Sequence, residues 1–197
     1  MRTGSALPFA RHGEAVRRRD DLAPKRRRMT VEWSGRYLEA IDDHGWEYVR
    51  RVGGMSAAVI LAITDEGEVV LVEQHRPPLG ASAVELPAGL IGDDDGAGET
   101  PRATAERELL EETGFTARAW REVGEFATSP GMSAEMFHLF MATGLTRVQA
   151  GGGTAREKIV VHLVKLAEVF AFAAAKRAQG CAIDCRLIAF LPWANLS

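Results

Sequence analysis

Glu108, Glu111 and Glu112 are the residues whose types and spacing could do chemistry in this chain. Separations of three and four put all three on one side of a helix, with Cβ atoms about 5–6 Å apart. Carboxylates that close repel by roughly a few tenths of a kcal/mol per pair unless something neutralises them. A hard divalent cation does so naturally. Mg2+, with Mn2+ as a substitute, takes oxygen ligands and is held by one or two carboxylates plus substrate phosphates and water. The alternative is a solvated acidic helix face. Arg107 lies four residues before Glu111 and is placed to hold it in one rotamer.

The element that must carry these acids is punctuated at both ends. Thr100 can cap the N-terminus, Pro101 suits the first helical position, and Gly114 sits where a left-handed C-terminal residue is wanted. The spacing predicts a helix over Pro101–Thr113. Around it the chain reads mostly as strands. Thr30–Trp33, Arg36–Ile41 and Trp46–Arg51 alternate, with turn chemistry at Asp42-Asp43-His44-Gly45. Ser56–Thr64 is a dense apolar run typical of a buried strand, and Glu66-Gly67 turns it into Glu68–Gln74. Further strands are predicted at Ala83–Leu86, Glu122–Thr128, Met136–Ala142 and Ile159–Leu166, and helices at Ala167–Gln179 and Asp184–Trp193. Gly151-Gly152-Gly153 reads as a flexible loop between strands. Strands with a few interspersed helices, without regular alternation, argue for a mixed α+β or layered α/β/α domain.

Composition sets outer bounds. The chain has 197 residues, 46% hydrophobic and 26% charged, which is ordinary for a globular domain. No apolar run reaches the roughly 18 residues that span a bilayer, so no membrane is expected as a partner. Residues 1–28 hold nine of the 24 Lys and Arg but three of the 27 Asp and Glu, leaving fifteen basic against twenty-four acidic residues beyond them. An acidic body is a poor general nucleic-acid binder, so no nucleic acid is expected, and metal cations would mediate any phosphate contact. The basic head shows no period and lacks the continuous apolar core of a secretory signal. It is read as a disordered extension without a role, and the location expected is cytoplasmic. Cys181 and Cys185 are too few for a disulfide framework or a four-thiolate zinc site and are read as buried thiols.

Glu99, seven residues, then Arg107-Glu108-Leu109-x-Glu111-Glu112-x-Gly114-Phe115 closely resembles the signature of the Nudix hydrolases. That pattern opens with a glycine, then five residues, then its first glutamate. Here nine residues separate Gly89 from Glu99, a four-residue insertion within the Asp- and Gly-rich stretch 92–98. Asp93, Asp94 and Asp95 there either add a metal site or form a solvated loop tip. The flanks look like the ADP-ribose pyrophosphatase branch: Trp33-Ser34-Gly35-Arg36-Tyr37, Trp46-Glu47-Tyr48, Glu73-Gln74-x-Arg76-Pro77-Pro78, Glu85-Leu86-Pro87-Ala88-Gly89 and Ser129-Pro130-Gly131-x-Ser133-x-Glu135.

The resemblance implies a Nudix α/β/α sandwich with a mixed sheet over residues 55–197 (signature about 89–115), and an N-terminal β-hairpin subdomain over 29–54. It implies homodimers that exchange that hairpin. It further implies that Glu108, Glu112 and the Ala88 carbonyl bind Mg2+, with Glu111 an additional ligand or a water-positioning base. Glu135 resembles the loop glutamate that activates the attacking water; Glu157 is either a surface acid or assists metal or substrate. Arg76 is either a phosphate clamp or the ion-pair partner of Glu85. Trp46, Tyr48 or Trp33 either stacks an adenine or packs across strands. His75, His138 and His162 are read as satisfying local bonds. The reaction expected is Mg2+-dependent hydrolysis of ADP-ribose to AMP and ribose 5-phosphate. The alternatives are hydrolysis of UDP-glucose or GDP-mannose, and nucleotide sensing without cleavage.

Overall fold

The computed structural model describes residues 29–92, 98–153 and 158–195. The basic head, Asp93 to Asp95 and Glu157 lie outside the described residues.

Three strands come first: β1 (Thr30–Ser34), β2 (Leu38–Asp43) and β3 (Trp46–Arg51), forming an antiparallel sheet in that order. The β2–β3 turn is the one expected, with φ of 56° at His44 and 92° at Gly45, the pair of positive angles a tight hairpin needs. Trp46 therefore faces Asp43, and Arg51 faces Leu38.

Two four-stranded sheets follow. One runs β7 (Ala88–Leu90), β4 (Ala57–Ala62), β9 (Met136–Arg147), β8 (Phe115–Ala127); β4 and β9 are parallel and the rest antiparallel. The other runs β10 (Val160–Lys165), β5 (Glu68–Arg76), β6 (Ala81–Glu85), β11 (Ala182–Ile183). Every residue of β4 is buried, because both its faces are covered. Val59 and Leu61 enter a cluster with Leu71, Phe137, Leu187 and Phe190, which brings in α2 (Val169–Ala178) and α3 (Cys185–Phe190). Ala58 and Ile60 enter a second cluster with Ala105, Leu109 and Phe140, which brings in α1 (Pro101–Thr113). A continuous apolar run is what a strand buried on both faces requires. The layered α/β/α expectation holds.

Several expectations change. β7 and β11 are too short for any periodicity to announce them. β8 begins at Phe115, immediately after α1, and β9 runs to Arg147, because the two pair along their length from Phe115↔Arg147 to Ala127↔Met136. Thr30–Trp33, read as strand-like, is β1 and joins the hairpin as a third strand. Gly151-Gly152-Gly153 is packed backbone rather than a loose loop. Gly152 and Gly153 donate to the carbonyls of Glu112 and Glu111 at 2.8 and 3.0 Å, and a Cβ on Gly151 would lie 2.3 Å from the Thr113 carbonyl carbon. Neither cysteine is fully buried as expected: Cys181 is half-buried, and Cys185, at the first turn of α3, is exposed.

Candidate active site

Helix α1 has the bounds its punctuation predicts. Thr100 accepts a hydrogen bond from the Ala103 N–H at 3.2 Å, and Gly114, at φ 77°, donates to the Leu110 carbonyl at 2.9 Å. Its inward face is Thr104, Ala105, Leu109, Glu112 and Thr113. A buried glutamate on that face demands a partner, and Glu112 has one: its Oε2 accepts the Ala88 N–H at 3.0 Å. Glu108 sits one turn earlier against the next residue of β7. A Cβ on Gly89 would lie 1.9 Å from Glu108 Oε1, so only glycine permits this approach.

Strand β7 explains the arrangement. The Pro87 carbonyl accepts from Ile60 and the Ile91 N–H donates to Ser56, so those groups face β4. The alternation of an antiparallel ladder turns the Ala88 N–H and carbonyl to the other edge, where Glu112 lies. Two carboxylates and a carbonyl edge therefore meet along Ala88–Gly89. Among the described residues no three Asp, Glu, His or Cys side chains form a ready-made cage. The set fits Mg2+ nonetheless, since that ion is commonly bound through one or two carboxylates with phosphate and water completing the shell.

Arg107 is the hub of the acids. It donates to Glu99 Oε1 at 3.1 Å, Glu108 Oε1 at 2.9 Å and Glu111 Oε2 at 3.2 Å. These contacts hold Glu99 below the usual carboxylate range, the Arg107 hydrogen bond being the largest cause, with burial opposing. Arg107 in turn is held charged more firmly than an ordinary arginine, first by Glu99. Glu111 stays half-exposed on the outward side of this cluster.

Arg76, at the end of β5, pairs with Glu85 at the end of β6. Nε donates to Oε1 at 2.7 Å and Nη2 to Oε2 at 2.6 Å, and Glu85 is buried. Of the two readings left open for Arg76, the Glu85 ion pair is present. Arg76 also lines a groove of about 440 Å³ with His75, Ser82 and Lys158. Trp46 is 64% exposed, and its indole N–H donates to the Gly131 carbonyl at 3.3 Å. Trp33 is likewise exposed, its ring lying over Gly35, where a Cβ would come within 2.3 Å of it.

Glu135, in the loop after β8, accepts from Arg51 of β3 at 2.6 Å. His138 pairs with Glu122, and His162 with Glu73, as local bonds. Arg51 escaped sequence analysis, and so did Arg186 of α3. Arg186 donates to Asp184, approaches Glu85 to 4.0 Å and lies over the Phe137 ring. Glu135 lies 84 residues from Arg51, and Glu85 and Phe137 lie on strands remote from Arg186, so no local signal marks those contacts.

Known proteins place this geometry in context. A methanol dehydrogenase activator of Bacillus methanolicus is 43% identical over 114 residues, 58% of either chain. An ADP-ribose pyrophosphatase of Bacillus subtilis (strain 168) is 46% identical over 90 residues, 46% of either chain. A GDP-mannose pyrophosphatase of Cronobacter sakazakii is 34% identical over 146 residues, 70% of this chain and 72% of that one. The chain thus spans only about half the length of the first two. A crystal structure of an ADP compounds hydrolase superposes with a TM-score of 0.57 at 19% identity, covering 73% of this chain and 80% of that one, and so shares the fold. The family model described as NUDIX domain matches residues 54–182, which include β7, α1 and the loop acid, and this chain belongs to that family.

Proposed function

We propose that this chain hydrolyses the pyrophosphate bond of a nucleoside diphosphate sugar with Mg2+, and that the substrate is ADP-ribose, yielding AMP and ribose 5-phosphate. The observation that carries this reading is the meeting of Glu108 and Glu112 on the Ala88–Gly89 backbone. The similarity to an ADP-ribose pyrophosphatase supports the choice of sugar nucleotide.

In this reading Glu108, Glu112 and the Ala88 carbonyl hold the cation, with Glu111 an additional ligand. The bound cation supplies charge neutralisation on the diphosphate and acidifies water. The remaining work falls to side chains. Arg107 fixes Glu108 and Glu111 in place. Glu135 takes the proton of the attacking water, with Glu111 as the alternative base. Arg76, whose Nε and Nη2 are taken by Glu85, offers Nη1 to a phosphate oxygen along its groove. Trp46 presents an exposed ring face on which an adenine stacks. No covalent intermediate is required.

Residues 29–54 are proposed as a dimerisation subdomain and 55–197 as the catalytic domain of a cytoplasmic homodimer. Exposed Val31, Trp33, Tyr37 and Leu38 on the N-terminal sheet support the pairing; light scattering after size exclusion tests it. GDP-mannose is the second reading, favoured by the 146-residue span shared with a GDP-mannose pyrophosphatase. A panel of ADP-ribose, GDP-mannose and UDP-glucose with Mg2+, read as phosphate released after phosphatase coupling, decides between them. ADP-ribose turning over fastest is the expected result; equal or slower turnover overturns the substrate assignment. Independently of turnover, Mg2+ should raise the Tm of the wild type and leave that of Glu112→Gln unmoved.

A further inference from the structure

We propose that Arg51 is a positioning residue for Glu135, and that strand β3 of the N-terminal sheet holds the 129–135 loop in its working place. The proposal rests on the reading that Glu135 takes a proton from water. The loop is bonded to β3 by a single parallel bridge. Val49 donates to the Met132 carbonyl and Ala134 donates to the Val49 carbonyl, each at 2.9 Å, with Val49 and Ser133 paired in parallel. The Trp46 indole N–H, from the same strand, donates to Gly131. At the end of the strand Arg51 meets Glu135, 84 residues away, with both side chains about three-quarters buried.

The detail of that pair decides its role. Nε and Nη2 of Arg51 both reach Oε1 of Glu135 at 2.6 Å, while Oε2 accepts no hydrogen bond from the described residues. The Glu135 main chain is pinned as well: its N–H donates to Ser133 Oγ at 3.0 Å, and its carbonyl accepts from the Thr128 N–H and hydroxyl. One oxygen is thus clamped by two adjacent N–H groups of a rigid fork, and the other is left for water. A lysine keeps the charge but not the fork, so it orients the carboxylate less well. A docked loop also brings the acid to its place before substrate arrives, which removes an ordering cost from each turnover.

The test uses the full chain with ADP-ribose and Mg2+, measuring kcat and KM separately for Arg51→Ala, Arg51→Lys, Glu135→Gln and the Arg51→Ala/Glu135→Gln double variant. Amide exchange at Ala134 follows the loop. Glu135→Gln should lower kcat by about a hundredfold or more. Arg51→Ala should lower kcat by roughly tenfold or more, with KM within about twofold and faster exchange at Ala134, while Arg51→Lys falls between it and the wild type. The double variant should be no slower than Glu135→Gln alone, because Arg51 acts only through that carboxylate. A further loss in the double variant, or an unchanged kcat in both Arg51 variants while Glu135→Gln is slow, overturns the proposal. Should Arg51→Ala unfold, Arg51→Lys carries the comparison with the same sign. Turnover of Glu135→Gln at the wild-type rate refutes the proton-acceptor reading itself, a failure visible in that single variant without reference to Arg51.

Discussion

At the scale of single residues, the contact that matters most is a hydrogen atom's width. Gly89 has no side chain, and Glu108 occupies the volume where one would be. Gly89→Ala should push the Glu108 carboxylate from the Ala88–Gly89 edge and lower kcat/KM by about a hundredfold, the order of loss that a 1 Å misplacement brings. The far-ultraviolet circular dichroism should not change. Retained activity would separate Glu108 from the metal. The carboxylates of α1 were legible in the sequence because i, i+3 and i+4 neighbours on a helix are spatial neighbours. Arg107 was legible for the same reason as a partner of Glu111, but not as the clamp of Glu99, which lies eight residues away and before the helix begins. Arg51 left no trace, since Glu135 comes from another element, and neither did the approach of Arg186 to Glu85.

At the scale of elements, α1 is held at both ends by different devices. Thr100 caps its start, and Thr100→Ala should cost about 1 kcal/mol in chemical denaturation, the usual loss for a cap hydroxyl. Its end is closed by the glycine run, whose N–H groups reach the carbonyls of Glu111 and Glu112 themselves. Gly151 has φ 71° and no space for a Cβ beside Thr113. Gly151→Ala should therefore destabilise by roughly 1–3 kcal/mol and also slow hydrolysis, because the same shift tilts the last turn of α1, where both acids sit. Equal activity per folded molecule would show that the run only stabilises. Helix bounds were readable from Thr100, Pro101 and Gly114, each acting on its own neighbours. The glycine run was misread because three glycines look alike in a free loop and in a tight backbone contact; what packs against them decides.

At the scale of the whole molecule, two neighbouring strands of the β10-β5-β6-β11 sheet are tied to α2 by one polar cluster. Glu73 of β5 accepts from Lys176 of α2 at 2.6 Å and His162 of β10 at 2.9 Å, with the Cys181 thiol at 3.5 Å. The Lys176 hydrogen bond is the main cause holding Glu73 below the usual carboxylate range, with burial opposing it. A depressed carboxylate pKa contributes stability above the unfolded value, and that contribution is lost as pH falls through the folded value. Thermal melts should therefore show Tm declining, as pH falls below the ordinary glutamate range, more steeply in the wild type than in Glu73→Gln. Parallel declines would remove Glu73 from the acid response. The exposed thiol of Cys185 is a correction of the same scale: its four-residue separation from Cys181 says nothing of which side of α3 meets the core.

The order of residues along the chain determined whatever depends on near neighbours: the bounds of α1, the tight turn at His44-Gly45, the doubly covered strand β4 and the grouping of three acids. These follow from backbone geometry that repeats every two or 3.6 residues. Tertiary structure decided the rest: the Ala88–Gly89 edge under Glu108 and Glu112, the glycine closure of α1, the Arg76–Glu85 pair and the β3 strap on Glu135. Each joins groups from different elements, and such pairings come from how sheets stack and strands align, which no local period encodes.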